Sequence, residues 1–174
     1  MKNKLIAASL FVVFAAVVIA FHPSISFASK GKTSTVADHI KTFDVLDFDV
    51  FTGQKWDRFK ESHSEDITVV WPDGHETHGL SKHLDDMKFM FSYAPDTAIR
   101  IHPVKFGFGD YTAVIGEMTG TFTKPMVGAD GKSTPPTGKS FKITMCTIGH
   151  WKGETMDKEY LFWDNQTYMK QIGL

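Results

Sequence analysis

Hydrophobic and polar positions alternate along the last third of the chain, as is typical of β-strands. Runs rich in Thr, Ile, Val and aromatic residues flank a connection dense in Gly, Pro and Ser, and a second break follows at Lys152-Gly153. Such runs bounded by turn residues predict antiparallel strands that follow one another along the chain. The predicted elements are strands over 111–123, 139–151 and 155–163, and a closing helix over 164–170.

The front of the chain shows the three-to-four-residue periodicity of helices. Val36, Ile40 and Phe43 begin one apolar stripe. Ser34 or Thr35 can cap this helix, and Asp38 lies in the first turn, where the helix dipole favours a carboxylate. Pro103 interrupts a later extended run and predicts an edge strand or a bulge. The predicted elements are helices over 36–50, 56–61 and 79–93, strands over 66–71 and 97–108, and a loop over 75–78. This order predicts an α+β fold with one face of a curved antiparallel sheet covered by helices.

The first 28 residues have the pattern of a secretory signal peptide. Lys2 and Lys4 precede an uncharged apolar run over 5–21, and Ser26-Phe27-Ala28 fits a small-x-small cleavage site. The sequence predicts cleavage after Ala28, a disordered leader over 29–34, one domain over 35–174, and a secreted or periplasmic protein. An uncleaved membrane anchor is the alternative, although the run is short for a full span.

Charge and cysteine content narrow the class of function. The chain carries 19 Lys and Arg against 20 Asp and Glu, a formal net charge of -1, so no basic surface points to nucleic acid. The one cysteine, Cys146, excludes an intrachain disulfide and is predicted to be a buried, inert thiol.

Several short motifs in the second half resemble one known family. They are Gly116-Glu117-Met118-Thr119-Gly120-Thr121, Pro136-Thr137-Gly138-Lys139, Gly153, Glu159-Tyr160, Asp164 and Gln171-Ile172-Gly173-Leu174. Their order and spacing resemble the SnoaL-like polyketide cyclases, also called ester cyclases, of the nuclear-transport-factor-2-like superfamily. The Trp71-Pro72-Asp73-Gly74 turn followed by a helix is similar to that family's front half. The resemblance implies a cone-shaped, curved antiparallel sheet covered by N-terminal helices, a cystatin-like α+β barrel with an apolar hollow.

The resemblance also implies an Asp with a nearby His that moves protons during ring closure, without covalent or metal catalysis. Asp164, directly before the closing helix, and His150, on the adjacent strand, are the predicted catalytic pair, because a carboxylate at the rim of an apolar cavity can have a raised pKa. Asp164 could instead cap the helix, and His150 could be an exposed residue near the turn. The family's acid often occupies the place of Leu161 here, so a lost catalytic base is the other interpretation.

The predicted substrate-binding residues are Trp56, His63, Trp71, Glu117 and Tyr160. Glu117 lies within a strand, so its face is either exposed to solvent or a polar wall of the pocket. His75, His78 and His83 are spaced as metal ligands can be, but they match no known signature, and we expect a surface cluster. No metal and no cofactor are predicted.

Two functions of different class remain open. One is an exported cyclase or isomerase-type enzyme that uses Asp/His acid–base chemistry on a small apolar carbonyl compound. The other is a non-catalytic module that keeps the hollow as a ligand-binding pocket. A third possibility is a domain that is chiefly an interaction partner, since the resemblance implies that such folds can pair through the outer face of the sheet as a homodimer. No nucleic-acid partner and no membrane contact after signal cleavage are predicted.

Overall fold

The computed structural model describes residues 34–174. The predicted signal peptide and leader, apart from Ser34, lie outside the described residues. Among the helices of the described part, none is both long and apolar enough to cross a membrane.

A continuous helical segment opens the described chain. Helix α1, Val36–Val45, begins at Thr35, whose hydroxyl accepts the backbone N–H of Asp38 while the Asp38 carboxylate accepts the backbone N–H of Thr35. The helix then widens into a π-helix, Leu46–Phe51. The predicted helix over 36–50 is therefore confirmed in its extent, but its last turns are π-helical and not α-helical. A 3-10 helix, Trp56–Glu61, follows.

Seven strands form one curved sheet among the described residues, and two more form a small separate hairpin. The order in the sheet is β2-β1-β9-β8-β5-β3, and β4 also pairs with β5. The prediction of a wholly antiparallel sheet is wrong at one place, because β1 and β9 are parallel. These two strands are far apart along the chain, which gives the long connection that parallel pairing needs. The strands are β1 His63–Val70, β2 Glu76–His78, β3 Ala98–Ile99, β4 Val104–Phe108, β5 Tyr111–Thr121, β6 Met126–Val127, β7 Ser133–Thr134, β8 Ser140–Lys152 and β9 Thr155–Phe162.

Two predicted segments are divided differently in the structure. The run over 97–108 is two strands, β3 and β4, separated at residues 100–103, because Pro103 has no N–H to donate to a neighbouring strand. The predicted loop over 75–78 contains β2, which pairs with the end of β1. The hairpin between β8 and β9 is confirmed, with Gly153 at a φ of 70°.

The sheet has a covered inner face and a more exposed outer face. Along β8, Phe141, Ile143, Met145 and Thr147 are buried inward, as the predicted alternation requires. Cys146 points the other way and is only half-buried, so its predicted place in the core is wrong. The inner face is packed against α1, α2 (Leu80–Tyr93) and α3 (Asn165–Ile172).

The outer side and rim of the sheet carry large exposed apolar side chains. Phe106, Phe108 and Tyr111, near the β4–β5 turn, are among them. The homodimer through this side of the sheet stays a prediction.

Candidate active site in the apolar cavity

A cavity of about 510 Å³ lies between the inner face of the sheet, the π-helix, α2 and α3. Its wall is mostly apolar, and six of the eight methionines of the chain line it. They are Met87, Met90, Met118, Met126, Met145 and Met169. An apolar pocket with a few polar groups is the usual form of a small-molecule site.

The π-helix brings Asp47 to the cavity wall. One Asp47 carboxylate oxygen lies 2.8 Å from Nε2 of His102, and Nδ1 of His102 lies 2.9 Å from the Asp44 carboxylate. Lys105 pairs with Asp44 on the far side. The His102 side chain is almost fully buried, and Asp47 is 13% exposed, so Asp47 is reached from the cavity while His102 supports it from behind.

The charges around His102 set the pKa values of this group. Burial alone would lower the pKa of His102, but hydrogen bonds to Asp47 and Asp44 outweigh it and raise the pKa. For Asp47 burial dominates and raises the pKa, and the hydrogen bond from His102 offsets only part of that effect. A carboxyl group whose pKa is shifted toward neutrality is suited to general acid–base work.

Three further titratable side chains meet at another part of the same cavity. His63 starts β1, His83 lies on α2, and Glu159 lies on β9. The Glu159 Oε2 atom is 3.3 Å from Nε2 of His83 and 3.8 Å from Nε2 of His63. The three side chains are 1%, 4% and 5% exposed for His63, His83 and Glu159.

Burial and charge act in opposite directions on this cluster. Burial lowers the pKa of His83 to about 4, so its ring is neutral near neutral pH. Burial works to raise the pKa of Glu159, but the two imidazoles beside it outweigh that effect and hold its pKa below the ordinary value. Buried atoms of His63 (Nε2), His83 (Nδ1) and Glu159 (Oε2) have no hydrogen-bond partner.

A pair of tyrosines supplies hydroxyl donors at the cavity. The hydroxyls of Tyr93, at the end of α2, and Tyr168, on α3, are 2.9 Å apart, and both residues line the wall. Burial is the main reason that both pKa values are raised. Because one hydroxyl donates to the other, the second keeps a proton that it can donate to a bound oxygen atom.

Asp164 does not line the cavity. Its side chain is exposed and accepts the backbone N–H of Thr167 at 3.1 Å and the Thr167 hydroxyl at 2.5 Å. These hydrogen bonds from Thr167 lower its pKa, so the predicted raised pKa is wrong. Asp164 caps α3, the alternative that the sequence left open.

His150 is on the outer face of β8. Its Nδ1 lies 2.5 Å from a carboxylate oxygen of Asp157, and its ring packs on Tyr111 at 4.7 Å between centroids. His150 and Asp164, the predicted catalytic pair, therefore do not share the cavity, because strand alternation turns His150 away from it. Leu161, at the place where the family often has its acid, does face the cavity.

The predicted substrate-binding residues divide into two groups. His63 and Trp71 line the cavity. Trp56 does not; it packs behind the wall against Phe59 and Phe91. On the outer face, Glu117 pairs with Lys142, and Lys158 lies over the ring of Tyr160.

Asp47 and Glu159 are cavity residues that were not predicted as site residues, and His83 was expected at the surface. Glu159 is two positions before Leu161 on one strand, so alternation already placed both on the same face. His83 is three positions after Leu80 and four before Met87 on the buried stripe of α2, so helical periodicity could have identified it as buried. The predicted surface cluster is wrong for His83, whereas His75 and His78 are exposed.

Comparison with solved structures identifies the fold. A candidate SnoaL-like polyketide cyclase from Jannaschia sp. CCS1 superposes with a TM-score of 0.69 at 18% identity, over 82% of this chain and 96% of that one. IdmH, a candidate polyketide cyclase from Streptomyces antibioticus, gives 0.65 at 20%, over 78% and 99%. A protein with a ketosteroid isomerase-like fold from Catenulispora acidiphila, in complex with trimethylamine, gives 0.61 at 14%, over 80% and 95%. The fold is thus the nuclear-transport-factor-2-like α+β fold, as the sequence predicted.

Comparison of the sequence gives the family. Among curated proteins no relative matches the chain. The family model for the SnoaL-like polyketide cyclases matches residues 43–172, three quarters of the chain. This range contains Asp47, Glu159 and all the motifs on which the resemblance rested except the last residues of the terminal one. The chain belongs to the SnoaL-like polyketide cyclase family.

Proposed function

We propose that the protein is a cyclase or isomerase-type enzyme that moves protons on a small apolar carbonyl compound held in the cavity. The observation that carries this proposal is the buried Asp47 carboxyl at the wall of an otherwise apolar cavity, hydrogen-bonded to His102. A carboxylate in apolar surroundings is a stronger base than in water. Membership of a cyclase family supports the same type of chemistry.

The reaction class is proton transfer next to a carbonyl group. In the proposed step, Asp47 takes a proton from the carbon beside the carbonyl, and the electrons of that C–H bond move onto the carbonyl oxygen. Asp47 then returns the proton to carbon, or the enolate carbon attacks a second carbonyl of the same molecule and closes a ring. In the second case the π electrons of that carbonyl move onto its oxygen, and this alkoxide takes the proton back from Asp47. His102 positions Asp47 and compensates its charge.

The carbonyl oxygen gains negative charge during this step and needs a donor. In this proposal the donor is the hydroxyl of the Tyr93–Tyr168 pair that keeps its proton, since both residues line the cavity. Preorganised donors at a developing oxyanion contribute a large part of catalysis. The methionine-rich wall excludes water and accepts an apolar skeleton of varied shape.

A non-catalytic binding module is the second candidate. Leu161 favours it, because this residue faces the cavity where the family often has its acid. Under this alternative Asp47 and Glu159 only orient a ligand.

Proton exchange on a model ketone tests the proposal. 2-Tetralone, a bicyclic ketone with acidic protons beside its carbonyl, is incubated in D2O with the full chain and a chelator, and proton loss is followed by NMR. We expect the wild-type protein to accelerate exchange and Asp47→Asn to lower the rate by about 100-fold or more, the usual contribution of a positioned general base.

The matched control is Asp49, which lies on the same π-helix as Asp47. Asp49→Asn changes an exposed aspartate that pairs with Lys55 and Arg58 outside the cavity, and we expect it to keep the wild-type exchange rate. Binding of the ketone without any acceleration of exchange would replace the enzyme proposal with the binding module.

Export through a cleaved signal peptide is proposed as well. It is supported by the charge, apolar and small-residue pattern of residues 1–28. Intact-mass analysis of protein from the culture medium or periplasm should show a chain that begins at Ser29. Intact Met1 in the membrane fraction would instead support an anchor.

A further inference from the structure

The histidine–glutamate cluster in the cavity has the residue set of a metal site. His63, His83 and Glu159 form the one group among the described residues that could hold a metal ion, with one ligand atom from each lying within 4.8 Å of the others. Two histidines and a carboxylate bind catalytic zinc in some enzymes and iron(II) in others.

The distances in the cluster are close to those that a bound ion requires. Metal–ligand bonds of about 2.0 to 2.1 Å place neighbouring ligand atoms about 3 to 3.5 Å apart. The Glu159 Oε2 atom is 3.3 Å from His83 Nε2 and 3.8 Å from His63 Nε2. Small side-chain rotations would therefore bring the three ligands onto one ion.

The orientation of His63 is fixed from behind. Its Nδ1 lies 2.8 Å from the Ser62 hydroxyl and 3.3 Å from the carbonyl oxygen of Phe59, and the Ser62 hydroxyl donates to that carbonyl at 3.2 Å. These hydrogen bonds place the ring proton of His63 on Nδ1, so the lone pair of Nε2 is directed at the cluster. Metal-binding histidines are commonly held in this way by a second hydrogen bond.

The protein alone leaves the cluster unsatisfied. Nε2 of His63 and Oε2 of Glu159 are buried and have no hydrogen-bond partner. Buried polar atoms without partners are costly and call for a specific explanation. A cation held between them would satisfy both atoms.

We propose that His63, His83 and Glu159 bind a divalent transition-metal ion such as Zn²⁺. Three protein ligands leave at least one coordination position free, and this position faces the cavity because all three residues line it. An oxygen atom of a bound compound, a carbonyl or carboxylate, can fill that position. This inference does not rest on the role of Asp47.

Metal binding is measured on the full chain, stripped with a chelator and titrated with ZnCl2 in a calorimeter. We expect one Zn²⁺ per chain for the wild-type protein and a loss of affinity of more than about 100-fold for His83→Ala and Glu159→Gln. Ser62→Ala removes only the support behind His63, and we expect it to weaken binding by about 10- to 100-fold. CoCl2 in place of ZnCl2 reports the coordination directly through its visible absorption.

His78→Ala is the matched control, because His78 is a histidine of the adjacent β2 strand that is exposed to solvent. It should bind Zn²⁺ as tightly as the wild-type protein. Glu159→Gln keeps the size of the side chain, so it gives a result even if His83→Ala does not fold. A wild-type chain that binds no Zn²⁺, or equal binding by wild type and Glu159→Gln, would overturn the proposal.

The two proposals fail separately. The Zn²⁺ titration contains no ketone, and the exchange assay contains a chelator. Loss of Zn²⁺ binding with retained exchange removes the metal site alone. Zn²⁺ binding without exchange removes only the proposed role of Asp47.

Discussion

His102 joins the framework of the fold to the chemistry of the cavity. Its ring lies between Asp44 of α1 and Asp47 of the π-helix, and Phe48 packs on it at 4.4 Å between centroids. Gly116 on β5 has no side chain, and a Cβ there would lie 3.5 Å from the ring and 3.2 Å from Ile99. A single buried imidazole therefore positions the proposed base.

The charge on His102 makes stability depend on pH. Its pKa is raised above the ordinary value of 6.5 by Asp47 and Asp44, which outweigh burial. The folded state thus binds the proton more tightly than the unfolded state. The resulting stabilisation is complete below about pH 6.5 and is lost as the pH rises through the folded-state pKa.

His102→Gln tests this contribution. We expect it to lower the free energy of unfolding by about 2 to 3 kcal/mol near pH 6, because it removes the charged imidazole that pairs with Asp44 and Asp47. The difference from wild type should become smaller as the pH rises through the raised folded-state pKa of His102, where the imidazole loses its proton. Urea unfolding across this range measures the effect, with the exposed His78→Gln as control. A difference that does not change with pH would show that His102 is not charged in the fold.

Single residues were the hardest level to predict from sequence. Glu159 and His83 followed the periodicity of their own elements, so their burial could be predicted from pattern. The pairing of Asp47 with His102 could not, because it joins residues 55 positions apart. Pro103 marks a break in the extended run, but a break alone does not show that His102 turns toward Asp47.

At the scale of elements, the π-helix sets which aspartate reaches the cavity. The α-helix widens after Val45, and Thr52 closes the wide turns by donating its hydroxyl to the Asp47 carbonyl at 2.7 Å. Within it Asp47 points inward while Asp49 pairs with Lys55 and Arg58 outside. Such widened turns are frequent at functional sites. The apolar pattern predicted a helix over this segment but could not distinguish an α-turn from a π-turn.

Helix α3 is capped by Asp164, the residue just before it, and carries Tyr168 to the cavity. Because Asp164 is a cap and lies outside the cavity, Asp164→Ala should lower the Tm by about 2 to 5 °C. Asp164→Asn should lower it much less, since Asn also caps helices well. Thermal unfolding followed by circular dichroism measures both.

The same variants also test the sequence-based hypothesis of an Asp164–His150 pair. Ketone exchange by Asp164→Asn should equal that of the wild-type protein. A large loss of exchange by Asp164→Asn with an unchanged Tm would show that Asp164 acts in catalysis and not as a helix cap.

At the scale of the whole molecule, the cavity results from an incomplete closure of the fold. The curved sheet and the helices bury a continuous apolar core, yet the space between β5, β8, α2 and α3 stays open. The element order and the family resemblance predicted this architecture correctly, because strand alternation and helix periodicity are local signals. They could not predict the parallel β1–β9 pairing, which depends on contacts between strands that are far apart along the chain.

Both the enzyme and the binding module require that this cavity takes up a small carbonyl compound. Methionine methyl NMR tests it most directly, since six methionines line the cavity while Met156 is fully buried and does not line it. With protein labelled at the methionine methyl groups and titrated with 2-tetralone, we predict shifts of the six cavity methyls and an unchanged Met156 signal. Unchanged cavity methyls at saturating ketone, or shifts confined to other parts of the chain, would contradict the account.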